Sequence, residues 1–354
     1  MSQKATKVTF ADVMGTLDGK GDIDCSHKGL TSLEGCPEKV KGDFNCSGNR
    51  LTTLEGAPKS IKGRFNCSNN QLTTLDGGPE DVKGDYDCSE NQLISLDDGP
   101  IYVMGDFSCA GNQLTSLKGE IYSSKGTKLA KCLEIVEGDF NCSDNQLITL
   151  DGAPLIVGGD FFCSHNQLTT LQGAPKKIPG DFDCSRNQLA SFDECPEVIL
   201  GDFLCAGNQL TSLEGLPREV GGNFNCSMNQ LTSLKNCYKK FKGAFNCSGN
   251  QLDSLKGAPQ EVGSFECSNN QLTSLKRAPE KVRGFFDCSW NLLTSLKGAP
   301  KKVKGNFDCS GNQLTTLEST LQTVGGDFIC GENAQPFIEE EIRTIVYVNG
   351  HIIV

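Results

Sequence analysis

The sequence predicts a β-rich solenoid of about fifteen 21-residue turns, with one parallel sheet on the concave face and an extended or polyproline-like convex side. Three observations carry this. Cysteine recurs in the setting Phe-x-Cys at 46, 67, 88, 109, 142, 163, 184, 205, 226, 247, 267, 288, 309 and 330, with Tyr86 replacing Phe before Cys88 and Ile23 replacing it before Cys25. The step is 21 residues, except for 33 between Cys109 and Cys142 and 20 between Cys247 and Cys267. Within a turn, Asp43-Phe44-Asn45-Cys46-Ser47 alternates polar and apolar, the period of a half-buried strand. Finally, fifteen of the forty glycines fall in one column two residues before the strand's first apolar position, so glycine here is punctuation rather than flexibility.

Taken in order, residues 1 to 8 are a polar leader, and Thr9-Phe10-Ala11-Asp12 is a helix start. Phe10, Val13, Met14 and Leu17 share one face, so residues 1–20 predict a leader and a capping helix. The solenoid spans 21–333. After each strand an Asn (Asn49, Asn70, Asn91, Asn112, Asn145 and on to Asn333) predicts a stacked amide column that pairs buried backbone, with Lys28 the one break. The return leg, Leu54 to Gly63 in the second turn, is too short and too rich in Gly and Pro for a helix. The insertion near 120–131, EIYSSKGTKLAK, enters on that leg and predicts a surface loop, either a tolerated insertion or a basic contact loop centred on Tyr122. Residues 334–354 predict a C-terminal cap: a short helix from Pro336, with Phe337, Ile338, Ile342 and Ile345 apolar, then a hairpin around Asn349-Gly350.

Leu-Thr-x-Leu, Pro-x-x-Val and Phe-x-Cys-x-x-Asn-Gln together resemble the leucine-rich repeat, L-x-x-L-x-L-x-x-N, closest to the short type of secreted bacterial effector proteins. The sentence Gly-Asp-Phe-x-Cys-Ser-x-Asn-Gln-Leu-Thr-Ser-Leu-x-Gly-Ala-Pro also resembles leucine-rich-repeat proteins of large tailed bacteriophages. That resemblance implies binding rather than chemistry. The ubiquitin-ligase domain of the effectors has no counterpart in these residues.

Nineteen cysteines do not predict disulfides. Fifteen form the interior column, and Cys36, Cys132, Cys195 and Cys237 occupy the slot that is elsewhere Ala. All stand where a small buried apolar residue fits, and no Cys-x-x-Cys pair points to zinc. With no apolar leader and no membrane-length run, the expectation is a reducing cytoplasm, that of a bacterial host if the chain is phage-encoded. No cofactor, metal or membrane contact is expected. His27, His165 and His351 are scattered and build no catalytic grouping, so the chain is not expected to be an enzyme.

Function on such a scaffold belongs to strand positions that point out of the sheet. The column before the Phe and the column between Phe and Cys together hold fifteen acidic residues in thirty positions, against the single basic Arg64, which concentrates the net charge of −11 on one face. That face is either solvated or a recognition surface; Asp directly after Gly could also bond turn amides. Departures from the repeat mark two candidate sites. Phe162 and Leu204 replace small polar residues, ringed by Asp160, Asp181, Asp183 and Asp202, with His165 and Arg186 on the adjoining turn. Phe285 with Asp287 and Trp290 is the second. Late in the chain the outer surface turns basic, from Lys235 to Lys304, either a solvated face or a patch for phosphate or acidic protein.

The expected function is a protein-binding scaffold whose acidic concave face meets a basic surface on a partner, a host protein or defence factor if the phage resemblance holds. The alternatives are a structural component of a virion and a nucleic-acid mimic. Direct nucleic-acid binding is not expected.

Overall fold

The computed structural model describes residues 7–122, 128–131 and 133–354. The chain divides into two units, Met1–Gly180 and Asp181–Val354, built on one plan. It is a parallel-strand solenoid of about 15 turns of about 21 residues.

Each turn places one two-residue strand in the main sheet. In the first unit these include Phe44–Asn45, Phe65–Asn66, Tyr86–Asp87 and Phe140–Asn141, and in the second Phe182–Asp183, Phe203–Leu204, Phe286–Asp287 and Phe328–Ile329. Neighbours pair in parallel with like against like, as Phe44 with Phe65 and Phe286 with Phe307. Register follows from alternation: a one-residue slip would turn Phe and Cys to solvent. The core of one turn is Phe44, Cys46, Leu51, Leu54 and Ile61, all fully buried, each large side chain contributing about 1.5–3 kcal/mol. The rings stack from turn to turn, at 6.2 Å between Phe44 and Phe65 and 5.3 Å between Phe286 and Phe307.

The Asn column does what its chemistry requires. Asn70 donates through Nδ2 to the carbonyls of Cys46, Cys67 and Ser68 at 3.1 Å each, and its Oδ1 accepts the Leu51 N–H at 3.0 Å. One side chain thus satisfies four backbone groups where the turn leaves none spare.

The return leg is extended, as expected, and its Val or Ile anchors short strands of its own, which pair in parallel on the return face. Val40, Ile61 and Val82 lie in one such ladder, and Val262, Val282, Val303 and Val324 in a five-stranded one. The insertion is not a plain loop, since Glu120–Tyr122 and Lys128–Lys131 pair antiparallel. A two-stranded ribbon satisfies its own backbone, which a protruding segment otherwise leaves to water. Cys132 and the leader's first six residues lie outside the described residues.

The other correction is the C-terminal hairpin. Tyr347–Val348 pairs in parallel with Thr323–Val324, and Ile352–Ile353 with Phe328–Ile329. Val348-Asn349-Gly350-His351-Ile352 repeats the spacing of Val324-Gly325-Gly326-Asp327-Phe328, so the phrase is one further rung rather than a reversal. Asn-Gly is a turn signal, but here the apolar register decides the direction.

At the other end helix α1, Phe10–Met14, starts with Thr9 and Asp12 in a reciprocal capping box. Phe10 is fully buried against Phe44, whereas Val13 and Leu17 are exposed. Helix α2, Glu339–Ile345, carries three glutamates in its first turn and buries only Ile342 of its expected apolar side. Among the described residues no helix is long and apolar enough to cross a membrane.

Candidate binding face

Both outward columns of the main sheet have structural work. In the first, at least eight of the nine Asp accept the main-chain N–H of the matching residue one turn on. Asp22 Oδ1 takes Asp43 N–H at 2.9 Å, Asp139 takes Asp160 at 2.7 Å, and Asp181 takes Asp202 at 2.7 Å. In the second, an Asp or Asn caps the turn after its own strand: Asn45 Oδ1 accepts Ser47 N–H at 3.0 Å, and Asp183 accepts Ser185 N–H at 2.9 Å. The carboxylates therefore recur because the turns need acceptors.

This sharpens the meaning of the departures. Phe162 and Leu204 each give up a cap that ten other turns keep. Phe285 gives up the acceptor for the following turn. An apolar side chain that forgoes a hydrogen bond and stays exposed is the feature a solvated repeat does not explain.

Of the first expected cluster, Asp160, Phe162 and His165 lie in the first unit and the other five residues in the second. Phe162 is half-buried beside Asn141, and His165 takes a left-handed backbone with φ 54°. In the second unit the structure brings Asp181, Asp183, Arg186, Asp202 and Leu204 together. Leu204 lies between Asp183 and Asn225, half-buried. Asp202 is the most engaged carboxylate: Oδ1 accepts Asn223 N–H at 2.7 Å, and Oδ2 accepts Asn223 Nδ2 at 2.8 Å. Arg186 sits at φ 54°, its side chain over Gly207 of the next turn.

The second cluster is a cleft of about 450 Å³ on the second unit's main sheet, lined by Phe285, Asp287, Asn306, Asp308 and Ile329 among others. Phe285 is 39% exposed at its edge. Asp287 stands between Glu266 and Asp308 in register, and its Oδ1 caps Ser289 at 2.9 Å. Glu266 is half-buried, and burial, then the neighbouring Asp287, pushes its carboxyl above the usual range. Trp290 does not line the cleft. It is 54% exposed on the adjoining turn at φ 53°, its ring over Gly311, where an added Cβ would meet Cδ2 at 2.7 Å.

Sequence reasoning missed Glu266, Asp308, Ile329 and Ile353. Ile329 and Ile353 continue the Asp287–Asp308 column as apolar residues, and Ile353 is 48% exposed. Ile329 departs from its column as visibly as Phe162 does, whereas Ile353 was hidden by the hairpin reading. Among the described residues no group of three His, Cys, Asp or Glu is placed to hold a metal ion.

No family model matches the chain, and no curated protein matches it. Solved structures do. YopM, a leucine-rich effector protein from Yersinia pestis, is 20% identical with TM-score 0.57, covering 88% of each chain. YopM from Yersinia enterocolitica WA-314 is 22% identical with TM-score 0.50, covering 90% of this chain and 80% of that one. The leucine-rich repeat domain of APL1 is 16% identical with TM-score 0.51, covering 82% and 87%. At these identities the likeness is one of fold: the chain has the leucine-rich-repeat architecture.

Proposed function

We propose that this chain is a non-enzymatic protein-binding scaffold, and that it recognises its partner through the outward face of the main sheet with the Phe285–Ile329 cleft as anchor. The observation that carries the reading is the cleft's composition. Phe285 and Ile329 stand exposed or half-buried where the repeat elsewhere places hydrogen-bonding residues, with Asp287 and Asp308 beside them. An apolar anchor within a charged rim is how interface hot spots are built. The rim's sign selects a partner with a basic surface. Leu204 among Asp181, Asp183 and Asp202 forms a second anchor of the same kind.

From the resemblance of the repeat to bacteriophage leucine-rich-repeat proteins we infer a host protein, including a defence factor, as the target within an infected bacterium. A cytoplasmic setting agrees with eighteen described cysteines that are all free thiols. The test is affinity purification from host cells with wild type and with Phe285→Asn/Ile329→Asn, which restores residue types the repeat uses. A protein recovered by wild type and weakened about 30-fold or more by the double change supports the anchor, about 2 kcal/mol being the loss expected of one hot spot. Asp22→Asn/Asp43→Asn is the distant control. Equal retention by the cleft variant and by Phe162→Asn/Leu204→Asn would sink the reading, and presence in purified virions would favour the structural alternative.

A further inference from the structure

Between 235 and 304 the chain carries thirteen Lys and Arg against five Asp and Glu, the reverse of the balance of −11 over the whole sequence. The excess lies on the return face of the second unit. Lys235, Lys256, Lys276 and Lys297 occupy one position on four consecutive turns, all exposed, and turns follow one another at about 4.8 Å. Lys281, Arg283, Lys302 and Lys304 flank Val282 and Val303, which are buried. Among the described residues two acids answer them: Lys240, Lys281 and Arg283 converge on Glu261 at 3.1, 2.9 and 3.7 Å. Lys297 meets Glu318 at 3.2 Å. Among the described residues no carboxylate lies within ion-pairing distance of Lys301, Lys302 or Lys304.

What this surface lacks decides its partner. The exposed large apolar residues of the stretch are Phe285, Trp290 and Leu292, and none lies on a return strand. A protein interface is organised around buried aromatic or aliphatic anchors. Membrane-surface segments insert apolar side chains among the lipids, and single-stranded nucleic acid is held by aromatic stacking. Tyr238 is half-buried among these lysines with its hydroxyl shut away from solvent, so none of these partners finds an exposed apolar anchor here. A duplex presents only a regular row of phosphates, which ammonium groups neutralise without apolar or base contacts. We propose that the return face from Lys235 to Lys304 docks the phosphate backbone of duplex nucleic acid, independently of sequence. This departs from the expectation, drawn from the chain as a whole, that nucleic acid is not bound directly. The acidic main sheet repels the same ligand, so contact is confined to the return face.

The test is fluorescence anisotropy of a labelled DNA duplex of about 16 base pairs with the full chain, titrated at about 25 mM NaCl and upward. Binding should weaken steeply with salt. Lys301→Ala/Lys302→Ala/Lys304→Ala should bind about tenfold or more weakly at low salt, with the salt slope reduced by about 3, one per phosphate contact. All three residues are exposed and free of ion pairs, and unchanged thermal unfolding checks the fold. Lys301→Arg/Lys302→Arg/Lys304→Arg should retain binding, and Lys39→Ala/Lys41→Ala in the first unit should leave it unchanged. The proposal is overturned if the duplex produces no change at low salt, or if the first-unit control loses as much. Tighter binding to a matched single strand, to anionic vesicles or to polyglutamate overturns it equally.

Discussion

Asn145 closes the widest turn of the molecule with one amide. Nδ2 donates to the carbonyls of Cys109, Cys142 and Ser143 at 3.0, 3.3 and 3.1 Å, and Oδ1 accepts the Leu114 N–H at 3.0 Å. Asn145→Ala would leave the Leu114 N–H buried and unpaired, while the Cys109 and Cys142 carbonyls keep Asn112 and Asn166 and Ser143 keeps the Gly111 N–H, an expected loss of about 1–3 kcal/mol in urea denaturation. A loss below about 0.5 kcal/mol would mean that the column decorates the turns rather than holding them. This column was legible in the sequence, because a short amide at a buried turn has few other uses. The Asp ladder was legible only as one option among several. An Asp after Gly reads the same whether it awaits a partner or accepts the next turn's N–H, and only register separates the two. Phe162, Leu204 and Phe285 could be read because each breaks a pattern. What each forgoes became visible only with the hydrogen bonds drawn.

At the scale of elements, the repeat's own period proved a better guide than local turn signals. Asn349-Gly350 suggests a reversal when read alone, yet its neighbours keep the solenoid's register, and His351 N–H completes the ladder on Asp327 Oδ1 at 2.9 Å. Gly350 thereby becomes one more member of the glycine column. A Cβ on it would come within 2.7 Å of the Gly326 carbonyl carbon and oxygen. Gly350→Val should therefore destabilise the last rung by about 1–3 kcal/mol, seen as lost hydrogen-exchange protection at His351 and Ile353 while Phe44 and Phe65 keep theirs. Full protection at His351 in that variant would show that the rung forms without the close approach. The insertion taught the converse: its Ser, Lys and Gly content is right for the surface, but composition does not reveal that two of its stretches pair.

For the molecule as a whole, the cysteine column ties stability to pH. Thiols donate to the next turn's carbonyl, as Cys25 to Asn45 at 3.3 Å and Cys205 to Asn225 at 3.2 Å. Burial raises the Cys25 and Cys109 thiols to about 12 and Cys330, at the column's end, to about 11. A raised folded-state value means that stability is full below the unfolded value of 9.0 and drains away as pH rises toward 12, because only the unfolded chain releases its protons in that window. Urea midpoints under reducing conditions should be level from pH 7 to 8 and fall from about pH 9 upward, less steeply in Cys67→Ala/Cys88→Ala. A flat profile to pH 11 would contradict the buried-thiol account.

The ladders keep their geometry where the chain length does not. Across the 33-residue step, Asp139 N–H still meets Asp106 Oδ1 at 2.8 Å, and across the 20-residue step Leu252 N–H meets Asn270 Oδ1 at 3.0 Å. Ordinary turns show 2.9 and 3.0 Å for the same two bonds. The scaffold therefore counts turns and not residues. Every rung offers an acceptor in one sense along the axis and a donor in the other, so the stack has a polarity, like a screw thread. Material added to a return leg alters what the surface displays without disturbing the pitch that positions everything else. New contacts can be tried at one rung while its neighbours keep their places.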